Sequence, residues 1–203
     1  MKAGNNSRVW QRMLSGRRLD LIEPSPLDVE IEDIAHGLAR VARWNGQTTG
    51  DHAFSVAQHS VIVLQIFRKQ QPNASAREAL TALIHDGPEY VIGDMISPFK
   101  TVLGDDYKAV EARLQEAIHV RYELEPVTSE RLKTQIKRAD TISAYFEATE
   151  LAGFSLEEAT KFFGRPRGFT PEMFDLIPWP AGKAQEQFLT VFYEIEKTRH
   201  PND

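Results

Sequence analysis

Apolar residues recur at three- and four-residue steps through most of the chain, the spacing of a helix that turns one face to a core. Ile31, Ile34, Ala35, Leu38, Val41 and Ala42 form the first such stripe, behind Asp28 as N-cap and ahead of Asn45-Gly46, which ends it. A second helix is predicted over 53–70, with Val56, Val63 and Phe67 on one face, and the segment QPNAS stops it. A third covers 76–87. Pro88 lacks an N–H and clashes with the preceding turn, which predicts a kink or restart and then an irregular stretch through Gly93 and Pro98. A fourth helix over 106–122 carries Val110, Leu114, Ala117 and Ile118, and a fifth over 129–152 carries Leu132, Ile136, Ala139, Ser143 and Phe146. The proline-rich segment GRPRGFTPEMFDLIPWPAG reads as a long connection. A last helix over 183–198 places Phe188, Leu189, Phe192 and Ile195 inward. No alternating run is long enough to make a strand. The pattern therefore predicts an all-α, single-domain helical bundle over 28–203, preceded by an arm over 1–27 that Gly16, Pro24 and Pro26 punctuate.

Composition narrows the choice of ligand. A chain of 203 residues that is 41% hydrophobic can bury a substantial core and is neither disordered nor membrane-spanning in character. Its net charge of −5 and lack of a basic run argue against a nucleic-acid polymer, while leaving room for a small phosphorylated substrate held by one or two cations. Cysteine is absent, so disulfides, thiolate zinc sites and cysteine nucleophiles are excluded. The N-terminus MKAGNNSRVWQRM has no apolar signal region, and SVIVLQIF is too short to cross a bilayer, so a cytoplasmic protein without membrane association is expected. There is no phosphate-binding Walker loop, no dinucleotide fingerprint and no G-x-S-x-G nucleophile turn.

Four polar residues break the apolar pattern. His59 shares the face of Val56, Val63 and Phe67; Asp140 follows Ile136 by four and precedes Ser143 by three; His85 and Asp86 interrupt the apolar run ALTALIHDG. A buried carboxylate without a partner costs several kcal/mol even after relaxation. Two imidazoles and two carboxylates turned inward on three helices call for ion-pair partners or a cation, and together they form a donor set suited to a divalent transition metal. Adjacent helical positions diverge by about 100°, so His85 and Asp86 share an ion only if it lies beside the helix wall.

The order His59, His85-Asp86, Asp140 resembles the HD superfamily of metal-dependent phosphohydrolases, and the local wording sharpens the likeness. WNGQTTGDHAFSVAQHSV resembles the first-histidine segment, ALIHDGPEYVIGDMISPFK the extended His-Asp-x-x-Glu-x-x-x-x-Asp stretch of the YfbR-like 5′-deoxynucleotidase branch, and IKRADTISAYFEA the final-aspartate helix. The likeness spans residues 30–150, with a C-terminal helical extension over 151–203. It implies His59, His85, Asp86 and Asp140 as ligands of one divalent ion, with manganese, cobalt, iron, nickel, zinc and magnesium all open. It implies Glu89 as an acid–base group, Asp94 at the substrate, and Met95, Ile96 and Ser97 as substrate contacts. Arg43-Trp44 matches a pair that orients the phosphate and packs on the nucleoside. The implied activity is hydrolysis of a (deoxy)nucleoside 5′-monophosphate, by a protein that forms homodimers. Rival readings are an HD-type phosphodiesterase, a nucleoside-triphosphate or alarmone hydrolase, and a catalytically silent metal- or nucleotide-binding module. Of the remaining polar groups, Lys100 is read as a solvated lysine, His119 as partly exposed at a helix C-terminus, and Trp179 as a cover over a helix face.

Overall fold

The structure, a computed structural model, describes residues 9–95 and 105–201. Its described residues form eight α-helices and one small hairpin. The hairpin pairs β1 (Trp10–Arg12) with β2 (Arg18–Asp20) in antiparallel register, with Gln11 opposite Leu19. Leu19 is fully buried in the main core, and Ser15 in the turn donates from its N–H and its hydroxyl to the two carboxylate oxygens of the buried Asp33. The strands are three residues each, too short for the period of two to register in the sequence.

Helix α1 (Ile31–Leu38) is shorter than the predicted stripe, because Val41 and Ala42 leave the helix to pair in extended form with the segment before α2. The Val56 N–H donates to Val41 O at 3.0 Å and the Arg43 N–H to Phe54 O at 2.8 Å. Helix α2 (Val56–Gln70) begins behind Ser55, whose hydroxyl accepts from the Gln58 N–H. It is buried on nearly every side, since α3 (Ala76–Leu83), α6 (Glu130–Glu150) and α8 (Ala181–Arg199) all pack against it. Ser75 starts α3 with a capping box closed by Glu78, and Ser129 caps α6 through the Leu132 N–H.

The third predicted helix stops at Leu83, four residues early. Residues 84–88 turn instead, and Pro88 becomes the residue from which α4 (Glu89–Ile92) starts, so the restart occurs and the helix does not run through. Helix α5 (Asp105–Arg121) is the next element among the described residues, and Ile118 packs where a side chain on Gly87 would collide. Helix α7 (Leu156–Phe163) lies in the helical extension expected over 151–203, between the fifth predicted helix and the proline-rich connection, where the pattern delimits no separate helix; Ser155 and Glu158 form its capping box. The proline-rich connection runs from there to α8. No helix among the described residues is long and apolar enough to cross a membrane.

Candidate active site

Three elements converge on one point. Helix α2 supplies His59, the turn after α3 supplies His85 and Asp86, and α6 supplies Asp140. One ligand atom from each of His59, His85 and Asp140 lies within 4.8 Å of the others. Asp86 Oδ2 sits 3.5 Å from His59 Nε2 and 3.3 Å from His85 Nε2, and Asp140 Oδ1 sits 3.4 Å from His59 Nε2. Because His85 and Asp86 occupy a turn rather than a helix, the divergence expected of adjacent helical positions does not apply, and both reach the same place.

The two imidazoles are oriented from behind. His85 Nδ1 lies 2.9 Å from Ala82 O, an acceptor only, so this nitrogen carries the proton. His59 Nδ1 lies 2.6 Å from Glu147 Oε1. Both Nε2 atoms are buried and have no hydrogen-bond partner among the described residues. Two inward-facing imidazole nitrogens with carboxylates beside them, each fixed by a bond on the far side of the ring, are what a divalent cation requires. The donor set fits such an ion.

Glu147 lay outside the sequence-derived set and proves central. It is fully buried, one helical turn after Ser143 on the face that carries Asp140. Its Oε1 accepts from the Ser143 hydroxyl at 2.7 Å as well as from His59; its Oε2 accepts from Trp44 Nε1 at 2.9 Å and from Arg43 Nε at 3.2 Å. Burial raises its pKa, but Arg43 and His59 outweigh that and hold it at about 2. Burial and the Arg43 charge oppose protonation of His59, yet Glu147, Asp140 and Asp86 keep its pKa well above the ordinary value. Burial likewise raises Asp86 and Asp140, and the neighbouring imidazoles pull both below the usual carboxylate range. The one signal that pointed to Glu147 was its seven-residue step from Asp140, two helical turns along one face.

Arg43 and Trp44 do not end a helix. They sit in a tight turn (Arg43–Gly46) in which Trp44 and Asn45 both adopt left-handed φ of 56° and 51°. A bulky residue there is strained by about 1–2 kcal/mol, and the strain is sustained by the bonds of both side chains: the Trp44 indole to Glu147, and Arg43 Nη1 to Asp94 Oδ2 at 3.1 Å. Asp94 follows α4, Met95 is half-buried beside it, and Glu89 is buried at the start of α4. Glu89 therefore reaches its place from a new helix, not from one shared with His85. Ile96, Ser97 and Lys100 lie outside the described residues. An open cavity of about 620 Å³ borders His85, Asp86 and Asp140, with Lys108, Lys133 and Lys137 at its edge. His119 also borders it, and is buried rather than partly exposed: its Nδ1 bonds to Glu125 O at 3.0 Å and burial lowers its pKa. Trp179 is buried, its N–H donating to Gln58 Oε1 at 2.9 Å.

A helical fold with paired histidines and aspartates at one centre defines a class of nucleotide phosphohydrolases, and the sequence comparisons place the chain within it. The profile of the YfbR-like 5′-deoxynucleotidase family matches residues 34–158, and the chain belongs to that family. It is 57% identical to an uncharacterized protein of Rhodobacter capsulatus over 78% of this chain and 81% of the relative. It is 33% identical to the uncharacterized YfdR of Escherichia coli, over 85% and 87% of the two chains. A 5′-deoxynucleotidase of Cronobacter sakazakii is 30% identical, over 51% of this chain and 60% of that protein.

Proposed function

We propose that the protein is a phosphomonoesterase that hydrolyses (deoxy)nucleoside 5′-monophosphates, with one divalent cation held by His59, His85, Asp86 and Asp140. The observation that carries this reading is the pair of buried imidazole Nε2 atoms, without hydrogen bonds among the described residues and with the oxygens of two carboxylates 3.3–3.5 Å away, at the motif positions of a nucleotidase family. When bound, a divalent cation lowers the pKa of coordinated water from about 15.7 toward neutrality. The chain's own groups do the rest. Arg43 neutralises phosphoryl oxygens, a task suited to guanidinium, with its Nε kept on Glu147. Trp44 packs on the nucleoside, and Met95, Ile96 and Ser97 complete the contacts to substrate. As water attacks phosphorus and the 5′-oxygen departs, Glu89 or Asp94 gives a proton to that oxygen or steers the attacking water.

The test is phosphate release from a panel of nucleotides. The reading expects inorganic phosphate from 5′-monophosphates and none from cyclic or triphosphate substrates; conversion of a cyclic substrate to its monophosphate instead identifies a phosphodiesterase, and consumption of a triphosphate with monophosphates left intact identifies a triphosphate hydrolase. Asp86→Ala is expected to remove both metal content and turnover. Glu89→Gln is expected to keep the metal and slow turnover by about 10²–10⁴-fold, as loss of a general acid does. Wild-type protein that carries metal and turns over none of the panel is a silent module, and the reading is then wrong.

A further inference from the structure

On the far side of the Lys133–Lys137 ridge of α6, a second cavity of about 710 Å³ opens between that helix, the end of α2 and the loop after α7. Lys133 and Lys137 line both cavities, and Lys137 Nζ bonds to Asp140 Oδ2 at 2.7 Å. Three arginines complete the second: Arg138 from α6, and Arg165 and Arg167 from the loop. None of the three has a hydrogen bond or ion pair among the described residues, and no carboxylate is among the described residues of the lining. Lys133 pairs with Glu130 and Lys137 with Asp140, so in a chain of net charge −5 it is the three arginines that leave this concavity with positive charge to spare. The loop is built to hold its shape: Gly164 and Gly168 take φ of 72° and 78°, conformations strained for other residues, and Pro166 fixes the backbone between the two arginines. Phe163 and Ile142 add an apolar wall, and the Phe163 ring meets Trp44 edge-on at 6.1 Å between centroids.

We propose that this cavity is a second nucleotide subsite, taking phosphate on Arg138, Arg165 and Arg167 and the base against Phe163. Guanidinium groups match phosphate in geometry and charge, and the cavity has the volume of a small-ligand site. A polymer backbone needs an extended basic track, and this patch is a single concavity. Its coupling to the metal centre runs through Lys137, which an anion here draws from Asp140.

Titration calorimetry of the full-length protein with ADP, and separately with inorganic phosphate, tests the assignment independently of catalysis. Wild type and Asp86→Ala are both expected to bind ADP. Arg138→Gln/Arg165→Gln/Arg167→Gln is expected to bind it at least about tenfold more weakly, the effect of losing one charge-assisted bond to phosphate, with helix content and metal content unchanged. The loop pair Arg165→Gln/Arg167→Gln, at exposed positions, serves if the triple variant folds poorly. Unweakened binding by these variants, loss of binding in Asp86→Ala, or no binding by wild type at millimolar ADP overturns the proposal. Equal affinity for ADP and phosphate overturns the nucleotide and leaves free phosphate as the occupant. Failure of the nucleotidase reading shows only in the phosphate-release assay and leaves these titrations unaffected.

Discussion

At the scale of single residues, one carboxylate ties the histidine–aspartate cluster to Arg43, the residue proposed to meet phosphate. Glu147 fixes the His59 ring, so that Nε2 faces the ligand cluster, and anchors both Arg43 and Trp44. Glu147→Gln keeps the volume but loses the charge that Arg43 and His59 rely on. It is expected to weaken divalent-metal affinity about 10–100-fold, as loss of a ligand's rear partner does, measured by competition with a chelator. Metal uptake also displaces a proton, because His59 is held in its charged form by Glu147, Asp140 and Asp86. Apparent affinity is therefore expected to rise with pH, and a titration repeated on either side of neutrality checks the sign. His59, His85 and Asp140 were legible in the sequence because each interrupts an apolar stripe. Glu147 was not, because a glutamate in a helix is ordinarily solvated, and only its partners from two distant segments reveal that this one is buried.

Among elements, periodicity located the long helices within a few residues and misplaced the ends that matter. The apolar run into ALIHDG continues past the point where α3 stops; the stop is set by Gly87 lying against Ile118 and by Pro88 opening α4, neither of which periodicity registers. That stop is what frees His85 and Asp86 to share one centre. The short helix α7 was hidden by the glycines and prolines that follow it. Placement of α4 depends on α1: a side chain on Gly37 would come within 2.7 Å of Tyr90 Cβ and 2.8 Å of Tyr90 O. Gly37→Ala is expected to cost about 1–3 kcal/mol, as overpacking does, and to slow turnover by displacing Glu89. Urea denaturation and steady-state kinetics on one preparation report the two effects.

For the molecule as a whole, the charged centre sets the acid limit of stability. Glu147, Asp86 and Asp140 all have lowered folded pKa values, so their stabilisation is present above the ordinary carboxylate range and is lost as pH falls through it. For Glu147 that window runs from 4.5 down to about 2. His59 acts oppositely, its contribution being full below the ordinary 6.5 and fading as pH rises through its raised value. The melting temperature of metal-free protein is thus expected to drop steeply below about pH 4.5, and a flat profile there would show that the buried carboxylates contribute little. One residue before His59, Gln58 donates through its amide to Asp175 O and Ile177 O, each at 2.8 Å, and accepts from the Trp179 N–H. The family profile ends at residue 158, yet the scaffolding of the first histidine extends at least twenty residues further. A chain cut at that boundary would strand a buried amide next to His59, so the smallest autonomous unit that keeps this histidine in place must include the proline-rich strap.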